Sequence, residues 1–365
     1  MTFGTPQAPR TRASRLRRRE REHRRRSIEL LVTIVVVVLG VVYASTQIDD
    51  GAVAAGAGTS PGPSGEKTPA LLAFSVTGAP KPLLAIVGTA GSPPAAMGVP
   101  QGLTLEVPGA GELSTRGVAA LPGPGLQVAL SNMVGAWTEH YAVTDLAHLA
   151  TLVDRNGGLR VELPDPVTLD SAVLGPGPVR LTGIQVAALL GAADQNTFTR
   201  WEIVLAGLLA SPPTLQEGDL TESDDLAGVQ ATLKGAKGGQ LETLPIQVAA
   251  ATIRVPKYSA LDQLMVARFG VTRTPVPVIV QNGAGPAGLG EAVGRLIIGR
   301  GFRVTLSQNA ISFDQEMTQI VALGEDHLRD ARRIRAALGI GRIAVSQVAS
   351  GVGDVQIEIG KDFTA

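Results

Sequence analysis

The chain is 365 residues long, with 32 basic and 32 acidic side chains, no cysteine and four histidines. That length holds two domains beyond short appendages. The lack of cysteine excludes a disulfide framework, a thiol nucleophile and thiolate metal ligands, and the four histidines (His23, His140, His148, His327) speak against a multi-histidine metal site.

The zero net charge conceals a division. Residues 1–27 carry ten arginines (Arg10, Arg12, Arg15, Arg17, Arg18, Arg19, Arg21, Arg24, Arg25, Arg26) against Glu20 and Glu22, leaving 22 basic and 30 acidic groups for the rest. A polyanion is not steered to that acidic remainder by its overall field and needs a local basic surface. After the arginines, Leu30 to Ala44 holds no charge, and Ile28 through Thr46 has the length a helix needs to cross the hydrocarbon. Its Val and Ile run has no polar face, which excludes a helix lying on the surface. We therefore expect a basic cytoplasmic tail at 1–27 and an uncleaved transmembrane helix at 28–46, with the remaining domains outside the cell membrane. Cleavage as a signal peptide would use Val42-Tyr43-Ala44, but the basic leader is longer than secretion requires. The arginines read as a topology and anionic-lipid signal, nucleic acid is not an expected partner, and no helix-turn-helix is readable in residues 1–27.

Residues 47–69 are Gly, Ala, Ser and Pro with little to bury, and read as a flexible linker. A first domain is expected over 70–271. Leu71–Val76, Leu83–Val87 and Leu103–Val107 read as buried strands, Gly125–Glu139 as a helix and His140–Val143 as a strand. A second helix is capped by Thr144 or Asp145 and stops at Asn156-Gly157-Gly158. Leu159–Leu163 alternates as a strand, and Leu181–Leu190, with Thr182 as its cap, and Phe198–Leu209 read as helices. Strands alternating with helices predict an α/β layered domain. Residues 211–245 are polar and Gly-rich. Their acidic group Asp219, Glu222, Asp224 and Asp225 misses the EF-hand spacing and reads as a solvated helix start. Ile253–Val255 and the helix Ala260–Phe269 complete the domain, and Thr272–Pro277 reads as a hinge. His148 and Asp145, three apart, read as a local cap contact. With no Cys and no G-x-S-x-G, a nucleophilic hydrolase is excluded.

A second domain is expected over 275–365. The strands Val278–Val280, Phe302–Val304, Ile320–Leu323, Ile343–Val345 and Val355–Ile359 and the helices Ala287–Gly299 and Asp326–Leu338 predict a small two-layer α/β unit with both helices on one sheet face. Gly283-Ala284-Gly285-Pro286-Ala287-Gly288 matches G-x-G-x-x-G between strand and helix. No ribose-binding carboxylate follows the next strand, so it reads as a tight turn and not a dinucleotide site.

The second domain's Val278-Ile279-Val280-Gln281-Asn282-Gly283-Ala284-Gly285 with Ala287-Gly288-Leu289, Gly301-Phe302-Arg303-Val304 and Ile359-Gly360-Lys361-Asp362-Phe363 are similar to the C-terminal domain attached to LytR-CpsA-Psr proteins of the cell envelope. In the first domain, Glu139-His140-Tyr141-Ala142-Val143 resembles that family's I-D-H-Y strand, Val153-Asp154-Arg155-Asn156-Gly157-Gly158 its V-D-x-x-G-G turn and Leu181-Thr182-Gly183-Ile184-Gln185-Val186-Ala187 its L-x-G-x-Q-A-L helix. The resemblance implies transfer of glycopolymers from a polyprenyl-pyrophosphate carrier to peptidoglycan with Mg²⁺, a reaction that needs arginines and metal-bound aspartates to take up diphosphate charge.

Most of those positions are empty here. Pro108-Gly109-Ala110 stands where the family has P-R-D, Leu190-Gly191-Ala192-Ala193 where it has an arginine pair, and its early aspartates fall near Val76 and Lys81. Only Arg200 stands where a family arginine would, the next falling near Ile203. Each lost donor of this kind costs on the order of 10²–10³ in rate. The expectation is a catalytically degenerate envelope protein that binds a wall polymer or an envelope protein, without cofactor or metal and with Arg200 as its one substrate-binding candidate. The alternative is an active phosphotransferase, which would need Mg²⁺ and a hydrophobic tunnel beside Arg200.

Overall fold

A computed structural model describes residues 70–169, 172–250 and 252–364. The expected tail, anchor and linker lie outside these residues, and among the described residues no helix is long and apolar enough to cross a membrane.

In the first unit the strands are β1 (Leu71–Thr77), β2 (Leu83–Gly88), β3 (Ala95–Val99), β4 (Thr104–Val107), β5 (Gly111–Ser114), β6 (His140–Asp145), β7 (Leu159–Leu163), β8 (Val167–Leu169), β9 (Ala172–Leu174), β10 (Gly177–Leu181), β11 (Glu222–Ser223), β12 (Gln240–Glu242), β13 (Ile246–Ala250) and β14 (Ile253–Pro256). Its helices are α1 (Thr115–Ala119), α2 (Gly123–Val134), α3 (Leu146–Arg155), α4 (Gly183–Gly191), α5 (Thr197–Ala210), α6 (Leu226–Gly235) and α7 (Tyr258–Phe269). The second unit holds β15 (Val276–Asn282), α8 (Leu289–Ile298), β16 (Phe302–Asn309), β17 (Gln319–Leu323), α9 (Leu328–Leu338), β18 (Arg342–Ser346) and β19 (Val355–Ile359).

Six strands of the first unit form a sheet in the order β11-β6-β1-β2-β3-β12, with β1 parallel to β6 and antiparallel to β2. Side-chain alternation sets the layers. Leu72, Phe74 and Val76 face α3 to α6, where Leu149, Val186, Trp201 and Val229 meet them. Leu71 and Ala73 face the other way, toward Leu130 of α2 and Met265 of α7. The unit is therefore the α-β-α layering that its strand and helix order predicts, and its cores close within the described residues.

Local signals place several elements. The Asp145 carboxylate accepts from the Ala147 and His148 N–H groups, capping α3, and Thr182 with Gln185 forms a capping box on α4. The helix expected over Gly125–Glu139 is shorter, ending at Val134. Gly135, at φ 70°, caps it in the left-handed region, and Ser131 and Gln127 bond Thr138 beyond the end. β3 has no counterpart among the predicted strands: Ala95, Ala96 and Gly98 are weak strand formers, held here between β2 and β12.

The second sheet runs β16-β15-β19-β17-β18, parallel throughout except for β17 against β19. As expected, α8 and α9 cover one face, packing Val293, Ile297 and Ile334 on Val278 and Val280.

The segment read as a hinge does not act alone, since a buried polar seam ties the units together. Fully buried Asn132 donates from Nδ2 to the carbonyls of Glu106 (2.9 Å) and Val304 (2.8 Å) and accepts from the Val304 N–H at 2.8 Å. Arg303, 4% exposed, pairs with Asp262 at 2.5 Å, bonds the Asn132 carbonyl and stacks 4.5 Å from the Tyr258 ring centre. Glu106 accepts from the Ser307 N–H at 2.6 Å, and burial raises its carboxyl from 4.5 to about 7.

Candidate functional site

Thr77 and Asp145, register partners, end β1 and β6 side by side. Open α/β sheets bind ligands in the crevice beyond such strand ends. The turn that follows β1 gathers three cations. Arg200, near the start of α5, donates from Nη2 to Asp194 Oδ2 at 2.8 Å, while its Nη1 is buried and without a partner among the described residues. Lys81 Nζ donates to the Asp194 carbonyl at 2.5 Å, and Arg116 Nη2 donates to the Pro80 carbonyl at 2.9 Å. Sequence reasoning found Arg200 alone. Lys81 and Arg116 lie 119 and 84 residues from it, and only the β1–β2 turn and the position of α1 bring them close.

The anions around these cations are already spent. Asp194 Oδ1 accepts from the Asn196 N–H at 2.9 Å while Oδ2 holds Arg200, so that guanidinium meets a ligand half neutralised. Asp145 gives one oxygen to the Ala147 and His148 N–H groups and places the other 2.9 Å from His148 Nδ1. The backbone bond from His148 leads the causes that hold its carboxyl below the ordinary value. Glu202, next on α5, is pushed up by burial toward its neutral form. Mg²⁺ prefers carboxylate oxygens free to face it. These residues do not fit that ion, and among the described residues no group of three His, Asp or Glu side chains is placed to hold a metal.

On the same side of the sheet, Phe74, Val87, Leu149, Leu205, Leu208 and Val229 are among the residues that line an apolar cavity of ≈ 20 Å³. That is room for about one water molecule, and no charged side chain lines it.

The remaining sequence candidates are structural. Asp225 caps α6, as a helix-start residue should, but its neighbours are not simply solvated. Asp219 is 4% exposed and chelates Arg155, whose bond leads the causes holding the Asp219 carboxyl low. Asp224 sits 3.1 Å from His140 Nδ1, and Glu222 accepts from the Gly123 N–H at 2.9 Å. Pro108–Ala110 faces α8 of the second unit, where a Cβ on Gly109 would stand 2.7 Å from the Glu291 nitrogen. In the G-x-G-x-x-G stretch, Asn282 Oδ1 accepts from Ala284 and Gly285 and its Nδ2 donates to Pro286, which makes the segment a self-bonded turn.

No curated protein sequence matches the chain. Among solved structures, Bacillus subtilis TagT, described as a LytR-CPS2A-psr family protein with bound octaprenyl pyrophosphate lipid, is 13% identical, with 56% of this chain and 92% of that one covered at a TM-score of 0.44. A LytR-Csp2A-Psr enzyme from Actinomyces oris is 21% identical over 55% of this chain and 90% of that one, at 0.41. B. subtilis TagV is 12% identical over 55% and 95%, at 0.44. Residues 275–363 match the family model LytR_C, described as LytR cell envelope-related transcriptional attenuator. The second unit therefore matches the LytR C-terminal family model over nearly its whole length, as its strand and turn residues led us to expect.

Proposed function

We propose that this protein is a membrane-anchored, extracytoplasmic LytR-CpsA-Psr-like component of the bacterial cell envelope that binds a wall polymer or envelope partner without transferring a glycopolymer. The observation that carries this reading is the state of the cation cluster. Arg200 is half neutralised by Asp194, Lys81 and Arg116 bond backbone carbonyls, and among the described residues no free carboxylate pair stands near them to hold a divalent ion. Diphosphate cleavage concentrates charge that several unengaged arginines and a metal must absorb, and here the Arg200 guanidinium already shares its charge with Asp194. The narrow apolar cavity supports the same reading, because an isoprenoid chain needs far more room than one water molecule.

The direct test incubates residues 70–365 with a polyprenyl-pyrophosphate-linked saccharide, Mg²⁺ and peptidoglycan fragments. The reading expects no phosphate-linked product. Product formation that disappears in Arg200→Ala would replace it with the phosphotransferase alternative.

A further inference from the structure

Residues 275–363 hold nine cations, eight of them arginine, balanced by nine acidic side chains. Some of these charges pair, as Arg295 does with Glu291, but others do not. Asp314, Glu316 and Asp362 gather near Thr318, where Lys361 pairs with Glu316 and Asp362 accepts from the Thr318 N–H. Arg329, Arg332 and Arg335 are exposed on α9, and no acidic side chain pairs with them among the described residues. Their three-residue spacing keeps them off the face that buries Ala331, Ile334 and Ala337. Arg333 is the fixed member: it bonds Asp330 at 2.8 Å and the Arg300 carbonyl at 2.5 Å, and lies 4.6 Å from the Phe302 ring centre. That bond brings the exposed Arg300, just past α8, against α9, and Arg273 lies against the next residue, Gly301.

Among the described residues none of Arg273, Arg300, Arg329, Arg332 and Arg335 has an acidic partner, and Arg329 to Arg335 alone extend about 9 Å along α9 at about 1.5 Å per residue. Like charges at this spacing repel along the helix; Glu325 and Asp326, one turn before Arg329, offset that end of the row, which leaves Arg332 and Arg335 as the cations open to an anionic ligand. We propose that this face of the C-terminal unit binds a linear phosphate-bearing wall polymer. The inference deepens the polymer-binding reading above and moves the contact away from the Arg200 cluster. Arginine forks pair bidentately with phosphate oxygens, which distinguishes this surface from a lysine-rich one. α9 presents no aromatic ring for stacked bases and no large apolar side chain for entry into a bilayer. The exported chain is acidic overall, so a local basic surface of this kind is what a polyanion requires there.

The test measures binding of a synthetic poly(glycerol phosphate) dodecamer to residues 70–365, whose cores close within that span, across 50–200 mM salt. The variant Arg329→Gln/Arg332→Gln/Arg335→Gln is compared with Arg160→Gln/Lys237→Gln/Lys257→Gln, which removes the same charge from the first unit. The proposal expects the α9 variant to bind roughly tenfold or more weakly, with a salt slope lower by about two to three, and the control to stay within about twofold. Equal losses in both variants, or no loss in the α9 variant, overturn it while leaving polymer binding intact. A parent protein that does not bind the dodecamer overturns the polymer reading itself. Arginine-dependent binding that appears instead with single-stranded DNA or with phosphatidylglycerol vesicles assigns the surface to nucleic acid or to bilayer and also overturns it.

Discussion

Substituting Asn132 by Ala tests whether the seam holds the two units as one. Asn132 is fully buried and its side chain makes three bonds, one to the Glu106 carbonyl in its own unit and two across the junction, to the Val304 carbonyl and from the Val304 N–H. Alanine leaves two acceptors and one donor facing a gap. An unsatisfied buried group costs about 1–3 kcal/mol, and water entering the gap recovers part of that, so the expected loss is roughly 3–5 kcal/mol. Urea unfolding of residues 70–365, followed by Trp137 and Trp201 fluorescence and by far-ultraviolet circular dichroism, reports it. The parent should unfold in one transition seen alike by both probes. In Asn132→Ala the second unit should separate, giving two transitions. A single transition shifted by less than about 1 kcal/mol would show that the seam is decoration and that the units couple by apolar contact alone.

Four further outcomes follow from the same geometry. Arg303→Met strands Asp262, 7% exposed, without its cation and should cost about 3–5 kcal/mol, read by the same unfolding curves. Because the Glu106 carboxyl is raised in the fold, the folded state holds its proton between about pH 4.5 and 7, so its contribution favours folding at acid pH and is lost as pH rises through about 7. Stability measured from pH 5 to 7 should fall with pH, and Glu106→Gln should flatten that slope. Trp201→Phe keeps the stack on Phe74 but removes the indole's buried bond to the Leu84 carbonyl, so thermal unfolding should register a loss of about 1 kcal/mol. Asp194→Asn releases Arg200 and should raise affinity for inorganic pyrophosphate roughly tenfold by calorimetry; unchanged affinity would mean the carboxylate does not mask that guanidinium.

Much of the scaffold is legible in the sequence because its signals are local. Asp145 before an apolar helix, Thr182 with Gln185 three residues on, and the alternation of Leu159 to Leu163 each fix an element within a few residues. Other features depend on partners distant in sequence. Asn132 and Val304 stand 172 residues apart, and nothing near either announces the other. The same holds for Lys81 and Arg116, which become neighbours of the Arg200 cluster only once the β1–β2 turn and α1 are in place. The acidic stretch after residue 218 reads as solvated for a related reason, since Arg155, the cation that buries Asp219, arrives on a helix 64 residues earlier. The arginines of α9 are visible in sequence as a run, but their lack of acidic partners appears only when the packed face of that helix is known.

The central claim is that the cation cluster around Arg200 no longer performs diphosphate chemistry. Its most direct measurement is the water-soluble phosphate released from radiolabelled polyprenyl pyrophosphate by purified residues 70–365 with Mg²⁺ present. The account predicts release no faster than buffer, in the parent and in Arg200→Ala alike. Turnover in the parent that falls on removing Arg200 or Lys81 would contradict it.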